Sequence, residues 1–170
     1  MLLQFSIKNF RTFKDKATLS LIASNYDKDT REHENIVIND SFRLRLLKSA
    51  VIYGANASGK SKLLDAFAFM RYFVINSSKE SQKGETIEVE PFKLSTQTEN
   101  EPSEFEIIFV HKNVLYRYGF EATTERIVSE WLYHKPKTKE VELFYREEGT
   151  FNTHERSFTK GNTVVKEGLV

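Results

Sequence analysis

The chain has no cysteine. Disulfides, zinc–thiolate sites and cysteine nucleophiles are therefore excluded, and the absence fits a reducing cytoplasm. The four histidines (His33, His111, His134, His154) are scattered, with no metal-ligand spacing. No run of about 18 apolar residues exists, the length a membrane-spanning helix needs. The longest apolar stretch, Leu63 to Ile75, is broken by Asp65 and Arg71. The opening residues, Met1 to Ile7, lack the basic start and small-residue cleavage site of a signal peptide, so a cytoplasmic location is expected. Net charge is only +1, so any basic surface for a nucleic acid must be local. There is no internal repeat and no low-complexity segment. What is left is an ordinary globular composition: 170 residues, 39% hydrophobic and 29% charged, enough for one domain with a sizeable core.

One stretch stands out against this background. Gly54-Ala55-Asn56-Ala57-Ser58-Gly59-Lys60-Ser61 reads G-x-x-x-x-G-K-S, the phosphate-binding P-loop or Walker A motif. At average residue frequencies its four fixed positions match by chance, in a chain this long, on the order of once in a few hundred sequences. The context is that of a strand–loop–helix unit. Leu46, Leu47, Ala50, Val51, Ile52 and Tyr53 precede it as a buried strand would, and a helical run, Lys62 to Asn76, follows. Gly54 and Gly59 let the backbone turn where a Cβ would clash. The loop amides then form an anion-binding nest at the positive end of the helix. Lys60 would reach the β- and γ-phosphates and is the candidate catalytic residue; the Ser61 hydroxyl would bind Mg²⁺. The candidate nucleotide-binding residues are Gly54, Ala55, Asn56, Ala57, Ser58, Gly59, Lys60, Ser61 and the adjoining Lys62.

Along the chain, Leu3, Phe5 and Ile7 alternate with polar residues, which predicts a half-buried first strand. Ala17 to Ile22 alternates again and predicts its hairpin partner, after a turn at Asp15-Lys16. Ser24 to Glu34 is a charged, solvated loop, and Ile36-Val37-Ile38 a short edge strand ended by Asn39-Asp40. In the helix, Leu63, Leu64, Phe67, Ala68, Met70, Phe73 and Val74 make an apolar stripe that packs on a sheet. Ser77 to Thr86 reads as a polar linker. Beyond it the pattern is strand after strand: Ile87–Leu94, Phe105–His111, Val114–Phe120, Ile127–His134 and Val141–Arg146. Turns are marked by Pro102-Ser103, Lys112-Asn113 and Lys135-Pro136-Lys137. The aromatics crowded there (Phe105, Phe109, Tyr116, Tyr118, Phe120, Trp131, Tyr133, Phe144, Tyr145) fit cross-strand packing, or base stacking on a nucleic acid.

Hydrolysis needs a carboxylate to hold Mg²⁺, usually ending an apolar strand, and a group to orient water. Neither is visible downstream of the loop. Ile36 to Asp40 is the nearest look-alike, but it is short and lies upstream. The stretch Val164 to Val170 carries no terminating feature. These points lead to the expectation of a fragment, or one half of a longer enzyme. They also keep open a non-catalytic nucleotide-sensing module that gates a partner effector. A small-molecule kinase would require α/β alternation after residue 86, where the pattern is all strand.

Two features carry a family resemblance. Phe5-Ser6-Ile7-Lys8-Asn9-Phe10-Arg11-Thr12-Phe13 resembles the opening strand and turn of ABC-type ATPases of the SMC, RecF and OLD group. Their Walker A has the form Gly-x-Asn-x-x-Gly-Lys-Ser, and Asn56 keeps that Asn. Pro91 to Leu94, Phe105 to Phe109, Tyr116 to Phe120 and Glu130-Trp131-Leu132 resemble bacterial AAA-type ATPases of the abortive-infection and phage-defence kind. The resemblance implies an α/β fold with α+β character, the N-terminal lobe of an ATPase head. It implies a mixed sheet, one main helix after the P-loop and an antiparallel β-subdomain. Residues 1–170 would form a single, incomplete ATPase domain: a core part (1–76), a linker (77–86) and an antiparallel part (87–170). It implies ATP and Mg²⁺ as cofactors, and adds Arg11 and Thr12 near the α-phosphate or base and Asn56 near the γ-phosphate. On its residues alone, Arg11 reads as either a surface arginine or a phosphate partner. The resemblance further implies a homodimer that sandwiches ATP between heads, DNA or RNA as target, and a nuclease or toxin effector.

Overall fold

The computed structural model describes residues 1–25, 31–80, 86–147, 150–154 and 156–158. Residues 26–30 of the charged loop, 81–85 of the linker and the 164–170 stretch lie outside the described residues. The alternating opening forms β1 (Leu2–Lys8), which pairs antiparallel with β2 (Ala17–Ser20), Phe5 facing Leu19 across the pair. A four-residue helix α1 (Glu32–Asn35) leads into a separate hairpin of β3 (Ile36–Asn39) and β4 (Leu44–Leu47). The long helix α2 runs Lys60–Glu80. The rest is a meander: β5 (Ser103–His111), β6 (Val114–Ala122), β7 (Ile127–Lys135), β8 (Val141–Glu147) and β9 (Thr150–Thr153).

These pieces share one seven-stranded sheet, ordered β2-β1-β5-β6-β7-β8-β9. β1 lies between its hairpin partner and a strand about a hundred positions away, with Phe5 opposite Ile107 and Ile7 opposite Phe105. The expected mixture of strand directions resolves, among the described residues, into antiparallel pairs alone. The β5–β6 turn uses Lys112 and Asn113 with φ of +47° and +59°, the left-handed pair that a two-residue hairpin with the sheet's own twist requires.

α2 packs on one face of this sheet. Phe5, Ile7, Phe10, Ala66, Met70, Phe105 and Phe120 form the buried core, with Leu63, Phe69 and Phe73 against it. Strand alternation sends Ile108 and Val110 to the opposite face, where Leu3 and Leu46 join them beneath β4. The meander's aromatics pair across strands: Phe105 faces Phe120 with ring centroids 5.2 Å apart, and Phe109 stacks on Tyr116 at 5.4 Å. Among the described residues no helix is long and apolar enough to cross a membrane.

Further expectations need correction. Residues 77–80 of the expected linker belong to α2. Residues 50–53 are not a buried strand: Val51 is 84% exposed and Tyr53 89%. β4 stops at Leu47, whose amide goes to Leu21 O, and no described strand pairs with 50–53. Ile87–Leu94 is not a strand either. Pro91 interrupts it, and its backbone bonds go to a turn: the Phe92 amide donates to Asn9 Oδ1, and Glu90 O accepts from the Arg11 amide. The predicted helix stripe is split. Leu63, Met70 and Phe73 face the core together with Ala66 and Phe69, while Leu64, Ala68 and Val74 are exposed. Phe67 sits at the margin, its ring edge-on to Phe5 at 5.1 Å. A helix apolar on most of its circumference gives no single stripe to read.

The segment after Pro91 is anchored by one buried side chain. Asn9 is fully buried with φ +51°, a conformation Asn tolerates better than most residues. Its Nδ2 donates to Thr98 O and to Glu101 O, both at 2.8 Å, and its Oδ1 accepts the Phe92 amide at 3.0 Å. Ser103 Oγ donates to its carbonyl.

Gly119 offers a test of the packing. Trp131 lies across it, so that an added Cβ would fall 2.5 Å from Trp131 Cζ2 and 2.7 Å from Phe105 O. Gly119→Ala is expected to destabilise the sheet by about 1–3 kcal/mol, the usual cost of overpacking, read as a lower denaturation midpoint.

Candidate nucleotide-binding site

The loop between residues 53 and 60 is a tight, left-handed bend. Ala57 has φ +63° and Gly59 φ +92°, and the first turn of α2 follows at once. Gly59 is required twice over. Its dihedral disfavours a side chain, and a Cβ there would lie 3.0 Å from Thr12 Oγ1 and 3.1 Å from Phe13 Cζ. Gly54 has no such dihedral; a Cβ there would meet Ser58 Oγ at 2.9 Å. The Ser58 amide donates to Ala55 O, and the Leu63 amide to Gly59 O as the first bond of the helix. Lys60 reaches back across the loop, donating to Gly54 O at 2.8 Å and Ala55 O at 2.7 Å. Its ammonium thereby closes the bend. Asn56 and Ser61 are exposed at its rim.

The start of α2 is electrostatically unusual. Its first turn is Lys60-Ser61-Lys62 and contains no acidic residue. The amides of a first helical turn have no acceptor within the helix, and the helix end carries partial positive charge. Two lysines add to that charge rather than balance it. An anion seated in the bend would satisfy the amides and offset the charge, so the donor set fits a polyphosphate.

The N-terminal turn meets the loop here. Phe10 and Phe13 bond reciprocally through their backbones, leaving Arg11 and Thr12 at the tip, with Arg11 at φ +50°. Thr12 and Phe13 press on Gly59. Arg11 is occupied by acids: its Nη1 donates to Asp65 Oδ2, and its Nε lies 3.2 Å from Glu90 Oε2, a charge contact without a directed hydrogen bond. Lys62 Nζ donates to the same Asp65 oxygen at 3.0 Å, and Lys93 pairs with Glu90 at 3.2 Å. Lys62, then Arg11, hold the Asp65 carboxyl below its ordinary range. Lys93, then Arg11, do the same for Glu90. Asp65 is the participant that motif reading passes over, because it falls outside the P-loop pattern. Its place five residues after Lys60, three after Lys62, was the available signal.

The family described as "AAA domain, putative AbiEii toxin, Type IV TA system" matches residues 49–165. The chain belongs to this AAA family. No curated protein matches it. The matched span takes in the loop, α2 and the meander, while Asn9 and Arg11 lie before it. An AAA domain is a P-loop, ATP-binding module, and the family binds ATP with Mg²⁺. The assignment agrees with the resemblance to AAA-type abortive-infection ATPases drawn from Pro91 to Leu94, Phe105 to Phe109, Tyr116 to Phe120 and Glu130 to Leu132.

In this AAA domain, Gly59→Ala is expected to strain the bend by about 1–2 kcal/mol and to push Thr12 and Phe13 off the loop. A lower thermal midpoint together with weakened ATP binding, measured on the same protein, is the outcome that checks it.

Proposed function

We propose that the chain is the ATP-binding part of an ATPase that couples ATP binding and hydrolysis to a nucleic-acid-directed or phage-defence activity. The carrying observation is Lys60, folded over the first two carbonyls of a left-handed loop at the acid-free start of α2. In this reading the bend from Gly54 to Gly59, with Ala55, Asn56, Ala57 and Ser58, cradles the phosphates beside Lys62. Lys60 is the catalytic residue, and the Ser61 hydroxyl is a Mg²⁺ ligand. Arg11 and Thr12 border the nucleotide from the N-terminal turn, which the closeness of Thr12 Oγ1 to the side-chain position of Gly59 supports. The partners are a second copy, engaged head to head around ATP, a DNA or RNA, and a nuclease or toxin effector. The location is cytoplasmic. The toxin-system name of the family is what favours a defence role.

A second reading, a sensor that binds nucleotide without hydrolysing it, is favoured by Asp65. That carboxylate is held by Arg11 and Lys62, which leaves it engaged with cations of the protein.

Lys60→Ala is expected to weaken ATP binding at least about tenfold in calorimetry, since a charge-assisted hydrogen bond contributes about 1.5–3 kcal/mol. Unchanged affinity would overturn the proposal. Phosphate release by the wild-type protein separates the two readings: steady turnover supports the ATPase, and binding without turnover supports the sensor.

A further inference from the structure

One carboxylate oxygen beside the loop holds two of the basic groups that border it. Asp65 Oδ2 accepts from Arg11 Nη1 and from Lys62 Nζ. Lys62 belongs to the first turn of α2, and Arg11 precedes Thr12, whose Oγ1 lies 3.0 Å from where a Cβ on Gly59 would stand. Asp65 stands about 7–8 Å along the helix axis from Lys60, within a Debye length of about 8 Å at physiological ionic strength. The remaining charges of the cluster, Glu90 and Lys93, pair with each other, and Glu90 also flanks Arg11.

We propose that Asp65 is a built-in counter-ion that competes with bound phosphate for Arg11 and Lys62, and so sets how tightly the loop holds nucleotide. This rests on the nucleotide-binding reading above and names the residue that tunes it. Without ligand, Asp65 compensates cations that would otherwise repel one another at the positive end of α2. A polyphosphate makes that compensation redundant and draws on the same two side chains. The Arg11 backbone remains tied to Glu90 O by its amide at 2.8 Å, so the exchange needs only side-chain movement. Asp65 is therefore a positioning residue and does not itself touch the nucleotide.

Asp65→Asn removes the charge while keeping the shape and one acceptor oxygen. With ATP and Mg²⁺ as the probe, calorimetry at several salt concentrations is expected to show binding about threefold tighter or more at low salt. The gain should shrink as salt rises, and shrink again in an Arg11→Gln background. Affinity equal to or weaker than wild type, in a variant whose circular dichroism is unchanged, would overturn the inference. A second measurement needs no variant. In the wild-type chain the ¹³C-detected titration of the Asp65 carboxyl should move upward when ATP is bound, and an unmoved titration overturns the inference equally. If the wild-type chain takes up no ATP at all, the nucleotide-binding reading has failed. If it binds ATP in a Lys60-dependent way and Asp65→Asn changes nothing, only the role of Asp65 has.

Discussion

The amide side chain of Asn9 is the point on which the arrangement turns. It is fully buried and bonds the Thr98 and Glu101 carbonyls and the Phe92 amide. Each buried polar group it would leave unpaired costs about 1–3 kcal/mol, so the segment after Pro91 must wrap around the N-terminal turn. That wrapping fixes where the turn's tip can go. The tip then lies beside Gly59, so close that a methyl group there would make the Thr12 and Phe13 side chains give way. The position of the bend from Gly54 to Gly59 is thus determined from two sides: by α2, packed on the sheet through Phe69 and Phe73, and by a hairpin tip anchored through Asn9.

Charge is arranged as economically as packing is. The loop and first helical turn bring Lys60 and Lys62 together with no acid between them. Lys60 is taken up by carbonyls of the loop, whereas Lys62 and Arg11 are taken up by a carboxylate one turn further on. Each cation has a partner in the protein, but the partners differ in kind. A carbonyl offers a partial charge and Asp65 a full one, so the bond to Asp65 is the charge-assisted one on both sides.

Much of this was legible in the residues, and the exceptions have physical causes. β1 and β2 announce themselves by alternation, and the four strands from β5 to β8 by apolar and aromatic runs between turn residues. The Lys112-Asn113 hairpin was readable from its length. Residues 50–53 look like a strand because they are apolar, yet pairing depends on a neighbour, and composition carries no information about neighbours. Ile87 to Leu94 misleads for the same reason, its bonds going to a side chain and a turn. β9, with the single apolar residue Phe151 in its four, carries no alternation to read. The loop itself was visible as a motif. The Lys62–Asp65 pair is local, but the Arg11–Asp65 pair and the bonds of buried Asn9 join residues more than fifty positions apart, and no local pattern reports them.

The place of β1 in the sheet has a further consequence, during synthesis. Its far edge bonds to β5, which is made about a hundred residues later. At ribosomal rates of about 5–20 residues per second, that delay is on the order of ten seconds. Until α2 is made Phe5 and Ile7 have only their hairpin partner, and until β5 follows they have α2 above them but no strand on the far edge. The newborn hairpin must therefore wait with an open edge and, until α2 is made, an uncovered apolar face, while the β5–β9 meander, built from neighbours in the chain, can zip as soon as it emerges.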